Sequence, residues 1–307
     1  MNSPEKIFKE YFKNKKKFNF PKRVTVELTN KCNLSCKMCP RKFLKNEIGF
    51  MKFDLFKKII DEVSLININT PLVPFFRGES LLHPNFLNMI KYAKDKGIKP
   101  IQLATNATLL SSNISEELIK MKLDFISFSL HLKNEKEDVI DNIKNFIKIK
   151  KDMKSKLPET QVSIVKTQKL KKYIPSFVKK WLNIVDRVRV YEEHSKDGLF
   201  GSLSKKYIKE RKPCLKVLTD IVIYWNGNVG LCNHDWERVD FIGNVSKQSI
   251  ADIWNSEKYH KIRKQVWEND ISDLICSHCD HWQVYYVPQN IIGELYVSKG
   301  KKEDVEI

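Results

Sequence analysis

Six short runs of β-branched and aromatic residues recur between residues 23 and 192, and each stops abruptly. They are "RVTVELT" (23–29), "PLVPFFR" (71–77), "KPIQLAT" (99–105), "DFISFSL" (124–130), "TQVSIVK" (160–166) and "DRVRVYE" (186–192). Helical patterns lie between them, at 53–63, 83–97, 135–154 and 174–185. The second has Pro84 near its first turn and Gly97 as its stop, and the third carries Val139, Ile140, Ile143, Phe146, Ile147 and Met153 near helical spacing. Strand and helix in alternation predict a parallel sheet with crossover helices, either open or curled into a partial barrel. In such α/β sheets the active site forms at the carboxyl ends of the strands.

The pattern changes after about residue 200. "DIVIYWNGNVGLC" (220–232) reads as a hairpin turning at Asn226-Gly227, and 249–270 reads as helix, followed by "CSHC". The expected organisation is therefore a basic amphipathic helix at 1–20, the alternating domain at 21–203, a smaller domain at 204–290 and a C-terminal tail at 291–307, of which "VSKGKKEDVEI" (297–307) reads as polar and loose.

No apolar run reaches the length of a membrane span; the best candidate, 64–76, is broken by Pro71 and Pro74. The first residues lack the order of a secretion signal. A cytoplasmic protein is expected, and in a reducing compartment clustered cysteines favour metal or redox chemistry over disulfides. The formal net charge is +18, mostly lysine. It is scattered along the chain without an RNA-binding signature of interleaved aromatics, so it reads as solvated helix faces, compatible with an anionic substrate and not pointing to nucleic acid.

The seven cysteines divide into three plus four. Cys32, Cys36 and Cys39 have the spacing Cys-x3-Cys-x2-Cys directly after the first strand run. Cys214, Cys232, Cys276 and Cys279 form a separate and complete set. Four thiolates close a zinc site well, and His234, His278 and His281 lie near them, so zinc or a mixed site is a rival there. Three thiolates suit an iron–sulfur cluster with one iron left open.

"TNKCNLSCKMCP" resembles the cluster-binding loop of the radical S-adenosylmethionine (SAM) superfamily. The resemblance implies a partial (β/α)6 barrel, and a 4Fe–4S cluster on Cys32, Cys36 and Cys39 whose open iron is chelated by SAM. It also implies cleavage of SAM to a 5′-deoxyadenosyl radical that abstracts hydrogen from a substrate. Other stretches match in order. "FRGESLLHP" (76–84) resembles the segment that binds the SAM amino group, through Gly78 and Glu79, although Arg77 replaces a glycine and Ser80 a proline. "ATNATLL" (104–110) resembles the "TNG" turn, with Asn106 toward the pocket and Ala107 in place of glycine. "SFSLH" (127–131) ends strand four, where Ser129 is the candidate for the SAM ribose or carboxylate and His131 a candidate for proton transfer. Met38 takes the place of a residue that is often aromatic in the family and packs on adenine. By location alone, Lys166, Gln168, Arg189, Glu192 and His194 are pocket candidates, with Arg189 and His194 joining His131 as catalytic candidates.

"WNGNVGLC" and "IGNVSKQSIADIWNSEKYHKIR" resemble the SPASM or twitch extension of that superfamily, with Gly227 five residues before Cys232. Only one auxiliary 4Fe–4S cluster is implied, on Cys214, Cys232, Cys276 and Cys279, because "DHWQVYYVP" follows without further cysteines. A cluster saturated by four cysteines favours electron transfer over substrate binding. This arrangement and the chain length are similar to those of a superfamily dehydrogenase that oxidises an aminocyclitol. The expectation is an oxidoreductase acting on a small hydroxylated molecule, reduced by a donor such as flavodoxin or ferredoxin. A peptide-modifying maturase and a non-enzymatic, zinc-stabilised RNA-binding protein are the alternatives.

Overall fold

Each strand run becomes a parallel strand, and the strands follow one another in chain order. β1 (Arg23–Val26) pairs with β2 (Leu72–Val73), and a single bridge from Leu72 to Ile101 leads on to β3 (Gln102–Thr105). β4 (Phe125–Ser129), β5 (Glu159–Lys166) and β6 (Arg187–Glu192) complete the arc. This computed structural model describes residues 3–44, 47–130, 137–193, 207–235, 241–292 and 294–299. A helix, α1 (Pro4–Lys13), precedes the sheet, and the crossovers carry α2 (Phe53–Asn67), α3 (Phe86–Asp95), α4 (Ser112–Lys120), α5 (Glu137–Asp152) and α6 (Ile174–Leu182).

The helices bury one stripe each against the convex face of the sheet. In α2 the stripe is Phe56, Ile59, Ile60 and Val63, the i, i+3, i+4, i+7 spacing of a one-sided helix. α4 is a helix that sequence reading did not single out. Only Ser115, Leu118 and Ile119 of it are buried, too short a stripe to stand out, and Ser111 caps it by accepting from the Ile114 N–H.

Strand alternation then decides what faces the concave side. Phe128 meets Phe146 of α5 edge-to-face, with ring centroids 5.4 Å apart, so Phe128 faces the helices. Val162 and Val188, beside it in register, share that face. The intervening residues therefore line the hollow of the arc. They are Ser127, Gln161 and Arg187 in one row, Ser129, Ser163 and Arg189 in the next, and Tyr191 above. The same count turns Lys166 and Glu192, which pair with each other, toward the helix side. Gln168 lies on an exposed turn beyond β5.

The hairpin expected at 220–232 forms as β7 (Asp220–Ile223) and β8 (Asn228–Gly230), followed by β9 (Gly243–Asn244). β7 also pairs in parallel with the free edge of β1, Arg23 opposite Asp220 through Val26 opposite Ile223. The cysteine-rich segment thus extends the barrel sheet itself. The single helix expected at 249–270 is two, α7 (Ile250–Trp254) and α8 (Glu257–Glu268), because the Ser256 hydroxyl accepts from the Tyr259 N–H and starts a new helix. α1 docks on α8: Phe8 stacks on Trp267 at 5.5 Å. Arg263 is buried among Tyr11, Trp254 and Tyr259, and donates to the Val217 and Trp254 carbonyls.

The tail requires a correction. Residues 297–307 read as polar and loose, yet Val297 and Ser298 complete β10 (Leu295–Ser298), which follows α9 (Gln289–Ile292) and runs antiparallel to β6 with Val297 buried. Its apolar alternation, Leu295 and Val297, is short and was masked by the lysines that follow it in sequence.

Gly227 holds the hairpin turn at φ +86°, and an added Cβ there would meet Asn244 Oδ1 at 2.9 Å. Gly227→Ala is expected to cost about 1–2 kcal/mol, the sum of left-handed strain and a forced shift of Asn244. Denaturant unfolding measures it, and an unchanged midpoint would show that the turn conformation is not required.

Candidate functional site

The first three cysteines sit in a loop that leaves the carboxyl end of β1 and is closed at its neck. Thr29 Oγ1 donates to the Gly49 carbonyl at 2.6 Å, Asn30 Nδ2 donates to the Glu47 carbonyl at 2.8 Å, and the Gly49 N–H returns to Asn30 Oδ1 at 2.9 Å. Within the loop the Cys39 N–H donates to the Cys36 carbonyl at 3.1 Å, and Arg41 Nη2 to the Leu34 carbonyl at 2.9 Å. Cys32, Cys36, Met38 and Cys39 are all half-buried.

Gly78 permits the closest contact in the region. A Cβ there would lie 2.3 Å from the Thr29 oxygen and 2.5 Å from the Lys31 oxygen, so only glycine fits against the root of the loop. Glu79 follows, almost fully buried, and its N–H donates to the Lys31 carbonyl at 2.8 Å. Its Oε1 accepts from Thr105 Oγ1 at 2.9 Å and the Leu81 N–H at 3.1 Å, and its Oε2 from the Asn106 N–H at 2.8 Å. Burial pushes the Glu79 carboxyl up from its ordinary value, and these three donors oppose the rise. The carboxylate therefore ties the ends of β2 and β3 together.

Asn106 continues the connection to the cysteines. Its Nδ2 donates to Asn33 Oδ1 at 3.0 Å and lies 3.9 Å from Cys32 Sγ. Ala107, where the resemblance expects glycine, adopts φ +59°, the left-handed conformation the turn demands. Ser129 and Arg189 reach the same mouth from β4 and β6. Arg189 is held by Glu294, just before β10, at 2.5 Å. His131 and His194 lie outside the described residues. Sequence reasoning missed Glu27, Glu294 and Tyr191. Glu27 carried a signal, as a carboxylate at the end of an otherwise apolar strand run.

The second set lies beyond the hairpin. Cys232 and Cys276 are buried, and Cys214 and Cys279 half-buried. Burial, together with the sulfurs of Cys276, Cys279 and Cys214, pushes the Cys232 thiol well above its ordinary value. Burial and Cys214 push Cys279 up to about 12. Burial also raises the Cys214 thiol, and buried thiols gathered in this way are a donor set suited to a cationic inorganic core. Among the described residues no three histidine, cysteine or carboxylate side chains converge on a point suited to one metal ion. The rings of His234 and His281 meet at a tilt beside this set, centroids 4.0 Å apart, whereas His278 is exposed. In the first set, burial raises the Cys32 thiol and the Glu79 charge adds to the rise, while the Leu34 N–H, Arg41 and Asn106 lower it.

Comparison with known proteins bears on both sets. Residues 26–185 match the family model of the radical SAM superfamily, and residues 214–280 match the SPASM iron–sulfur cluster-binding domain. The chain is 26% identical over 292 residues to the tungsten-containing aldehyde ferredoxin oxidoreductase cofactor-modifying protein of Pyrococcus furiosus, covering 78% of this chain and 82% of that protein. It is 23% identical over 275 residues to the S-adenosyl-L-methionine-dependent 2-deoxy-scyllo-inosamine dehydrogenase of Niallia circulans, covering 85% of this chain and 93% of that one. In fold it is similar to the crystal structure of BtrN in complex with AdoMet and 2-DOIA, with a TM-score of 0.60, 19% identity, and coverage of 85% of this chain and 93% of that one.

Two separate cysteine sets make a quantitative expectation. Anaerobically reconstituted protein should carry two 4Fe–4S clusters, and the Cys32/Cys36/Cys39→Ala variant should retain one, as read by iron and sulfide per chain. Loss of all iron in that variant, or zinc in its place, would contradict the division. The arc of parallel strands, the loop on β1 and the matching family model agree: the chain is a radical SAM superfamily enzyme with SAM and iron–sulfur clusters as its cofactors and a SPASM domain at its carboxyl side.

Proposed function

We propose that this enzyme is an oxidoreductase that dehydrogenates a small hydroxylated molecule such as a sugar or aminocyclitol. With the first cluster and SAM in place, the chemistry available is one-electron cleavage of the sulfonium and hydrogen-atom abstraction from a substrate carbon.

The protein's own residues divide the remaining work. Cys32, Cys36 and Cys39 hold the cluster. Gly78 and Glu79 would shape the pocket for the SAM amino group, Asn106 and Ser129 would line it, and Met38 would meet the adenine. The observation that carries the reading is the polar concave face below that pocket. There the row Ser129, Ser163 and Arg189 lies under Tyr191, with Glu294 fixing the guanidinium. Hydroxyls, a phenol and a held ion pair match the hydrogen-bonding groups of a polyol better than an apolar substrate. Oxidation of a carbinol carbon removes a hydrogen atom, a proton and an electron. Tyr191 and Arg189 would orient the hydroxyl, the Glu294 carboxylate would receive its proton, and His131 and His194 remain candidates for that transfer. Cys214, Cys232, Cys276 and Cys279 leave their cluster no open position, which suits it to electron transfer. Similarity to the Niallia circulans dehydrogenase across most of both chains supports the same reading.

The test is incubation of the reconstituted enzyme with dithionite, SAM and carbon-deuterated 2-deoxy-scyllo-inosamine, alongside a panel of other cyclitols and sugars. Expected are deuterium in 5′-deoxyadenosine and a carbonyl product in equal amounts with one of them. Deuterium transfer with no carbonyl from any polyol, or transfer from a peptide alone, would overturn the dehydrogenase assignment.

A further inference from the structure

Arg77 stands where the superfamily resemblance expects glycine, and it is built into the protein. Its guanidinium pairs with Glu27 on two prongs, Nε to Oε1 at 2.6 Å and Nη2 to Oε2 at 2.8 Å, and both side chains are 0% exposed. It also lies over the Tyr224 ring, 4.5 Å from the centroid.

Each end of this pair reaches one cysteine centre. Toward the first, Gly78 and Glu79 follow Arg77 directly and press on Thr29–Lys31, the peptides leading to Cys32. Toward the second, Glu27 Oε2 accepts from the Trp225 N–H at 3.3 Å, and the Glu27 N–H donates to the Ile223 carbonyl at 2.8 Å. Tyr224 then donates its hydroxyl to the Asp235 carbonyl at 2.8 Å, and the Asp235 N–H donates to the Cys232 carbonyl at 3.0 Å. Continuous contacts thus join the peptide before Cys32 to the peptide of Cys232.

We propose that the Arg77–Glu27 pair is a positioning latch that couples the two centres, so that SAM binding at the three-cysteine site stiffens the hairpin that carries Cys232. A bidentate guanidinium–carboxylate pair shielded from water tolerates little misalignment, and partial separation strands two buried charges. The segment at 76–79 and the hairpin at 220–232 therefore move together. A glycine at position 77 has no means of transmitting this. The inference rests on the cluster assignment and not on the identity of the substrate.

Amide hydrogen exchange on anaerobic, cluster-loaded holoenzyme, with and without SAM, tests it. In the natural protein SAM is expected to slow exchange at 76–83 and also at 220–232, the latter by about fivefold, the lower end of typical coupling between sites. Arg77→Gly keeps the first protection and loses the second. Arg77→Lys, which keeps the charge without the fork, loses most of it. Should Arg77→Gly fail to load its clusters, Glu27→Gln combined with Arg77→Met removes both charges at similar bulk and is read in the same way. Hairpin protection that persists in these variants, or is missing in the natural protein, overturns the latch. No substrate enters the measurement, so failure of the dehydrogenase assignment leaves its outcome readable.

Discussion

The buried carboxylate of Glu79 is the contact on which the mouth of the barrel depends. It gathers the Leu81 N–H, the Thr105 hydroxyl and the Asn106 N–H, so that the ends of β2 and β3 meet at one point. Asn106 is thereby fixed against Asn33 and Cys32, and Gly78 against the root of the cysteine loop. A carboxylate taken out of water is costly unless every donor around it is in place, and here three donors are. The cluster loop, which has little regular structure of its own, inherits its position from that satisfied charge.

Burial then sets the chemistry of the two cysteine sets differently. Around Cys32, backbone and side-chain donors partly offset the cost of a thiolate. Around Cys232 the other sulfurs add to that cost. Pairing of β7 with β1 carries the hairpin of Cys232 on the same sheet as the strand that leads to Cys32; that sheet ends in β9, and the Leu72–Ile101 bridge joins it to the second sheet, which ends in β10.

Much of this was legible in the residues. The six parallel strands announced themselves because buried strands need unbroken apolar runs, and the cysteine spacing because a cluster fixes the reach between its ligands. The hairpin turn was legible from Asn226-Gly227, whose glycine the backbone needs at positive φ. What was hidden depends on distant partners. Pairing of β7 with β1 is a contact between edges nearly two hundred residues apart, and a hairpin pattern specifies only its own two strands. β10 is four residues long and lacks a turn signal linking it to β6. Arg77 looked like a departure from pattern, since its meaning lies in Glu27, fifty residues earlier. The lysine-rich charge proved uninformative about the site: pairs such as Lys57–Asp54 and Lys91–Asp95 sit on exposed helix faces, where they contribute little.

The central claim is a coordination position at the Cys32, Cys36 and Cys39 cluster that the polypeptide leaves for SAM. The most direct measurement is electron–nuclear double resonance on the reduced holoenzyme, using SAM labelled with nitrogen-15 at the amino group and oxygen-17 at the carboxylate. Hyperfine coupling from both labels to the cluster is the expected result, lost in the Cys32/Cys36/Cys39→Ala variant. A spectrum unchanged by labelled SAM would contradict it, because SAM would then not occupy a position on the cluster.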